Sequence, residues 1–552
     1  MMILENERKL SPRVSIGILL LICIMCLAPF LDKAFNIDDP LFIWVAKQIQ
    51  AHPVDFYGFT VNWNGFEMPM WTRNQNPPLT SYYIALAASW VGWSEIALHL
   101  VFLVPALAVV TGTYLLAREL CQRPLVATLV SILTPVFLVS STTVMSDILM
   151  LSFWVWSVFL WLKGIKRNST ISLISASFLI AACSLTKYFG MSLIPLLFAY
   201  SLAEKRKLGY WVLFLLIPIL ILAAYQWATF TLYGTGLLLN GFSYSSSYRE
   251  LFHSNYFTKV LTGLVFTGGC LISALFYFPL LWRKRILAVC ALLTLLYILS
   301  LPFLITIGAF EISTGEGVKW LNVIEFSLLT LAGANVVALV VHDLWRNRNA
   351  DSLLLFLWSM GTLIFVCFLN WSINGRSILP IVSVFGIVLM RHFDRLEAVG
   401  YFKVPWRIIL PLVPAAIIAL WVTWGDYIFA ESARSAAIEI HDTYKSASGT
   451  LWFQGHWGFQ YYMEKLGGKA IDFSNSVPAE GDIVIIPSNT SKTFPMPQDR
   501  MFFLSEYRFP MYTYITTLNG DTGAGFYSDA FGPFPFVIGY KTDEKYTVFQ
   551  LH

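Results

Sequence analysis

Apolar segments long enough to cross a bilayer recur along almost the whole chain up to residue 425, and they limit the fold more than any other feature. A helix needs about 17–25 mainly apolar residues to span the hydrocarbon core. Lipid offers no partner to an unpaired backbone group, so the spanning form is helical. Thirteen such stretches are read, near 14–31, 96–117, 125–145, 147–163, 170–187, 188–203, 210–232, 260–282, 286–308, 320–342, 352–371, 377–391 and 406–425. Of the 552 residues, 57% are hydrophobic and 13% charged, against about 25% charged in a soluble domain. The chain is therefore expected to be a polytopic α-helical membrane protein of about thirteen spans. Its net charge of +4 is ordinary for that class and implies no nucleic-acid partner.

Lys and Arg set the orientation, because they concentrate on the cytoplasmic side. With the N-terminus inside, the inner segments hold twenty of them and the outer loops before residue 426 hold eight. Arg8, Lys9 and Arg13 precede the first span, and no small-x-small cleavage site follows it. This reads as a retained signal anchor rather than a cleaved signal peptide. The expected placement is the cytoplasmic (inner) membrane, N-terminus inside and C-terminal part outside. Cys23 and Cys26 have CxxC spacing but lie within the first span, which points to packing rather than redox or metal chemistry.

The outer loop 32–95 carries Trp44, Trp63, Trp71, Trp90 and Trp93, with amphipathic stretches at 40–51 and 79–92. Such helices lie in the membrane interface. A second outer loop, 233–259, is rich in Ser, Tyr and Gly. From Tyr427 the composition turns polar, and TLWFQ (450–454) and DIVIIP (482–487) read as strands. GFQYYMEK (458–465) reads as a helix stopped by Gly467-Gly468. Two parts follow: a membrane module, 1–426, and an extracytoplasmic α/β domain, 427–552.

Ionisable groups at a membrane edge are costly and point to function. On the outer side these are Asp38 and Asp39, Arg73, Asp147, Lys187, His253 and Arg376. Carboxylates and cations gathered at one face suit a lipid phosphate and an acid/base reaction. Lys187 and Arg376 can stabilise an anionic leaving group, and Asp38 or Asp39 can serve as base to an acceptor hydroxyl. Each also has a plainer role. The acidic pair can cap the 40–51 helix and Asp147 the fourth span. Lys187 can snorkel to headgroups, Arg376 can be a headgroup charge, and His253 a loop residue.

The order of these elements resembles the GT-C glycosyltransferases of the protein O-mannosyltransferase (glycosyltransferase family 39) and aminoarabinose-transferase type. The shared pattern is the pair Asp38-Asp39, then Asn76-Pro77-Pro78-Leu79, then Thr134-Pro135 to Asp147-Ile148-Leu149. Leu185-Thr186-Lys187 and the run from Arg376 to Pro380 complete it. The resemblance implies inverting transfer of a sugar from a polyprenyl-phosphate donor to a lipid, glycan or protein acceptor, with no metal or cofactor required. It implies Asp38 as base with Asp39 in support, and Arg73, Asn76, Asp147, Lys187 and Arg376 as substrate-binding residues. Two positions depart from the family. Asn76 stands where relatives often have Lys or His, which moves the phosphate grip to Arg73, Lys187 or Arg376; Asp39 stands where Glu is common. The rival readings are a lipid-linked glycan flippase, which places charges at span centres, and an oligosaccharide polymerase or ligase working from later loops such as 233–259. The string Gly455-His456-Trp457-Gly458 can stack on sugars or form a tight strand-to-helix turn.

Overall fold

The computed structural model describes residues 10–251, 255–303, 306–307, 310–311, 313–314, 317–400, 406–447, 449–490 and 493–552. The chain is mainly helical and ends in a sheet domain. The first helix, Pro12–Leu27, starts where local chemistry dictates. Ser11 accepts the Val14 N–H, and Pro12 occupies the first turn, where its missing N–H is harmless. Ser94 opens Glu95–Leu120 in the same way.

The thirteen apolar stretches do not each form one long straight helix among the described residues. Among the described residues seven helices are long and apolar enough to cross a membrane, or nine if each of two bent pairs counts as one span. Hydropathy records apolar content but not helix breaks. The 125–145 stretch breaks at Leu133-Thr134-Pro135, so that Pro124–Ile132 and Pro135–Ser141 meet at 67°. The 260–282 stretch bends by 91° between Tyr256–Cys270 and Ser273–Leu281. Others are simply short: Leu193–Lys205 has 13 residues, and Thr170–Thr186 has 17, about 25 Å of helix.

The outer loop contains the two helices its pattern predicts, Asp39–Ala51 and Leu79–Val91. Leu86 and Trp90 of the second are 67% and 84% exposed, as an interfacial helix requires. Trp63 behaves otherwise and is buried against His456 of the C-terminal part, with ring centroids 4.8 Å apart. The 233–259 segment is not all loop, since Leu237–Leu251 is helical. Its start is held by Gln226 Oε1, which accepts the Leu238 N–H at 3.1 Å. His253 lies outside the described residues.

The last helix of the membrane part, Leu412–Tyr444, has 33 residues, about 50 Å. It runs unbroken through 426–427, the expected domain junction, into the polar part. A five-stranded sheet follows, ordered Met501–Met511, Thr542–Leu551, Ile483–Pro487, Leu451–Phe453, Lys469–Ala470. The first three strands pair antiparallel and the rest parallel. Alternation assigns the faces. Ile483 and Ile485 join the main core, and Val484 packs with Ile471 and Leu551 on the other side. Helix Trp457–Lys465 covers the first face, where Phe459 meets Phe453 and Tyr546.

Glu544 of this sheet is 3% exposed and accepts the Asn489 side-chain amide at 2.9 Å. Burial pushes its carboxyl up to about 7. The folded chain therefore holds this proton to higher pH than the unfolded chain, and the stability it contributes is lost as pH rises through about 7. Thermal unfolding of the full chain in detergent checks this. Between about pH 5 and about pH 8 the wild type should lose more stability than Glu544→Gln. Equal slopes would contradict it.

Candidate active site

The acidic turn is held from two sides. Asp39 is 1% exposed; its two oxygens accept the Asn36 N–H at 3.0 Å and the Val144 N–H at 2.8 Å. Burial is the larger influence on its carboxyl, which it pushes up to about 7 against the pull of these bonds and Lys33. From the C-terminal part, the Gly458 N–H donates to Asn36 Oδ1 at 3.2 Å. Tyr462 Oη accepts the Phe35 N–H at 2.9 Å, and Glu431 accepts the Ala34 N–H at 2.8 Å. A Cβ at position 458 would lie 2.3 Å from the Phe35 carbonyl oxygen, so only glycine permits this approach. Between them Ile37 sits at φ +51°, a left-handed conformation that β-branched residues rarely adopt. Such strain, of order 1–3 kcal/mol, persists only where the surroundings enforce it.

Asp38 occupies the N-cap position of the Asp39–Ala51 helix but makes no side-chain capping bond. Its carboxylate is turned to Arg376 instead, Oδ2 accepting from Nη1 at 3.0 Å. The Arg376 guanidinium also lies 3.9 Å from Asp147 Oδ2, and Asp147 Oδ1 accepts from Lys187 Nζ at 2.6 Å. Acid, base, acid and base thus alternate along one chain of contacts. Asp147 is nearly sealed at 1% exposure, whereas the Asp38, Lys187 and Arg376 side chains keep 28%, 22% and 15%.

Four of the seven residues singled out from sequence meet here, and Asp39 anchors the turn beside them. Arg73 and Asn76 are not brought into contact with them among the described residues. Arg73 donates to the Met68 sulfur, and Asn76 faces Asn74 while its carbonyl accepts from Tyr57 Oη at 2.5 Å.

Three further residues complete the network. Tyr527 lies against Arg376, its ring centroid 5.5 Å from the guanidinium carbon. Its hydroxyl donates to the Asp426 carboxylate at 2.9 Å. Asp426 pairs with Lys33 at 2.5 Å, both side chains at most 2% exposed, and Lys33 also donates to Thr142 Oγ1 at 3.3 Å. Lys33 lies two residues past the first apolar stretch and Asp426 directly follows the last. Their membrane-edge positions were the available signal; Tyr527 had none.

The C-terminal part grips the Arg376 segment too. Gly375 N–H donates to the Phe526 carbonyl at 2.7 Å, and Asp529 exchanges bonds of 3.0 and 2.8 Å with the Ile373 backbone. Asn374 caps the short Gly375–Ile378 turn through the Ser377 N–H at 2.9 Å. His456 and Trp457 of the Gly-His-Trp-Gly string pack against Trp63 and Phe531, which favours the tight-turn reading. No group of three His, Cys, Asp or Glu side chains suited to a metal converges among the described residues.

Residues 75–228 match the protein family described as dolichyl-phosphate-mannose-protein mannosyltransferase. This is the family to which the motifs pointed. The matched stretch includes Asn76, Asp147 and Lys187, while Asp38 and Arg376 lie outside it. No curated protein matches the chain in sequence. Among solved structures, the chain is similar to the apo oligosaccharyltransferase of Archaeoglobus fulgidus, with 15% identity and a TM-score of 0.49 over 83% of this chain and 64% of that one. The chain thus spans just under two thirds of the archaeal protein. ArnT from Cupriavidus metallidurans, bound to undecaprenyl phosphate, is similar with 13% identity and a TM-score of 0.44 over 86% of this chain and 92% of that one.

The buried Lys33–Asp426 pair yields a stability test. Removing one partner strands a buried charge, whereas replacing both with apolar groups does not. Asp426→Ala should destabilise the protein by about 3–5 kcal/mol. The double variant Lys33→Met/Asp426→Leu should recover most of that loss in detergent thermal unfolding. A double variant as unstable as the single one would show that the pair is not the cause.

Proposed function

We propose that the protein is an inverting membrane glycosyltransferase. It moves a sugar from a polyprenyl-phosphate donor to a hydroxyl-bearing acceptor at the outer face of the cytoplasmic membrane. The observation that carries this reading is the contact chain Asp38–Arg376–Asp147–Lys187. It combines a partly open carboxylate with two cations, all close to the ends of apolar stretches. The family match over 75–228 supports the donor class, a sugar on a polyprenyl phosphate.

In this reading Asp38 takes the proton of the acceptor hydroxyl as the oxygen attacks the anomeric carbon. The bond from that carbon to the phosphate oxygen breaks, and Arg376 and Lys187 stabilise the polyprenyl phosphate that leaves. Asp147 orients both cations. Asp39, fully engaged with backbone N–H groups, holds the turn rather than sharing the chemistry. Arg73 and Asn76 are left to bind substrate parts farther from the reacting atoms. The sugar and the acceptor are fixed by groups outside this cluster.

The test is transfer from a polyprenyl-phosphate sugar in membranes containing the variant chain. Asp38→Asn should lower the rate by about 10²–10⁴-fold, the usual worth of a general base. Arg376→Lys, which keeps the charge but loses the two-pronged donor geometry, should lower it with a smaller loss of folded protein. Wild-type transfer by Asp38→Asn would remove the assignment.

A further inference from the structure

At the opposite end of the helix that carries Asp147, Ser146–Arg167, lies a second candidate site. The 22-residue length of that helix separates the two by about 33 Å. A cavity of about 550 Å³ opens there between the turn after this helix and the turn joining Leu193–Lys205 to Trp211–Tyr233. Its polar lining consists of Asn168, Lys205, Lys207, Tyr210 and Trp211, and no carboxylate lines it among the described residues. Lys205 Nζ is tethered to Asn168 Oδ1 at 2.9 Å, which fixes the cation at the rim. Lys207 forms no ion pair among the described residues.

An independent observation points to a ligand. Trp211 is 4% exposed, and its indole N–H, a donor only, finds no acceptor among the described residues. Gly209 packs beside that edge, where a Cβ would come within 3.3 Å of Nε1. A buried donor without an acceptor costs about 1–3 kcal/mol, and here it lines a cavity with two ammonium groups. The complementary ligand is an anion with several acceptor oxygens.

The surroundings select its source. The floor is apolar, with Ile165 and Leu173. The rim carries Leu208 and Tyr210 at 66% and 53% exposure, and Leu213 just beyond is 62% exposed. This is the Lys- and Arg-rich end of the helices, with Lys163, Lys166 and Arg167 close in sequence. An opening that joins cations to a lipid-facing apolar wall fits a headgroup with its chains attached better than a free ion. We infer that this cavity binds the phosphate of an anionic phospholipid, held by Lys205, Lys207 and the Trp211 N–H. The site is separate from the proposed transferase centre and does not depend on it.

The experiment uses the full chain, purified in detergent, stripped of lipid and titrated with phosphatidylglycerol or phosphatidylcholine, with bound lipid read by native mass spectrometry. The wild type should retain one phosphatidylglycerol in preference to phosphatidylcholine. Lys207→Gln should weaken that binding about fivefold, the worth of one lysine near a lipid phosphate. Trp211→Phe should weaken it as well, and inorganic phosphate at equal concentration should not displace the lipid. Lys207 is exposed and forms no ion pair among the described residues, so its substitution tests the site without threatening the fold. Equal retention of the two lipids, unchanged binding in Lys207→Gln, or displacement by inorganic phosphate would each overturn the inference.

Discussion

The Lys33–Asp426 ion pair joins the chain just past its first and last apolar stretches, and the site's geometry depends on it. Two charges at most 2% exposed at 2.5 Å are stable only while both are present and their remaining hydrogen-bonding capacity is met. Thr142 meets part of it for Lys33, and Thr517 and Tyr527 meet it for Asp426. Those partners come from a buried polar turn and from the C-terminal part. One buried pair thus ties the acidic turn, the Thr142–Met145 segment and the sheet domain to a common reference. Asp38 and Asp147 each sit five residues from a member of that network, Lys33 and Thr142, and Arg376 lies against the Tyr527 ring.

The C-terminal part is consequently part of the site and not an appendage. It supplies Tyr527 beneath Arg376, the Phe526 and Asp529 contacts to Ile373 and Gly375, and the Gly458 and Tyr462 contacts to the turn before Asp38. The close approaches at Gly375 and Gly458 leave no room for a Cβ. Apart from the Tyr527 ring contact, these are backbone to backbone or buried hydrogen bonds, which hold position better than exposed ion pairs. Motion of the sheet domain would therefore move the ends of both chain segments that meet in the Asp38–Arg376 bond.

Much of this was legible in the sequence because membrane physics narrows the choices. Charges at the ends of apolar runs are expensive, so Asp147, Lys187 and Arg376 stood out, and the structure brings them together with Asp38. The strands at 451–453 and 483–487 and the helix at 457–465 followed from period and a glycine stop. What escaped is what hydropathy does not encode. The break at Leu133-Thr134-Pro135 hides inside a continuous apolar run. Lys33 looks like a loop cation until its partner, 393 residues away, is beside it. Tyr527 is one of 25 tyrosines, and only the fold places its ring under a guanidinium. Asn76 and Arg73 carried weight through their position beside a motif, which says nothing about where their side chains point.

The adjacency of Asp38 and Asp39 now has a physical account. Two neighbouring carboxylates repel, and the fold separates their duties by burial. Asp39 is sealed among backbone donors, while Asp38 remains partly open to Arg376. Counted formally, Asp38, Asp147, Lys187 and Arg376 are neutral together, so the cluster as it stands has no net charge with which to hold an anion. In the proposed reaction a donor phosphate must compete with Asp38 for Arg376. Arg376 can yield to it because Tyr527 supports the guanidinium from below and Asp147 lies within 3.9 Å on the other side. As Arg376 turns to the phosphate, Asp38 loses the cation that occupies its oxygen and gains the freedom to accept a proton. Donor binding and exposure of the base then follow from one exchange of partners, and an acceptor arriving first would meet a carboxylate still engaged.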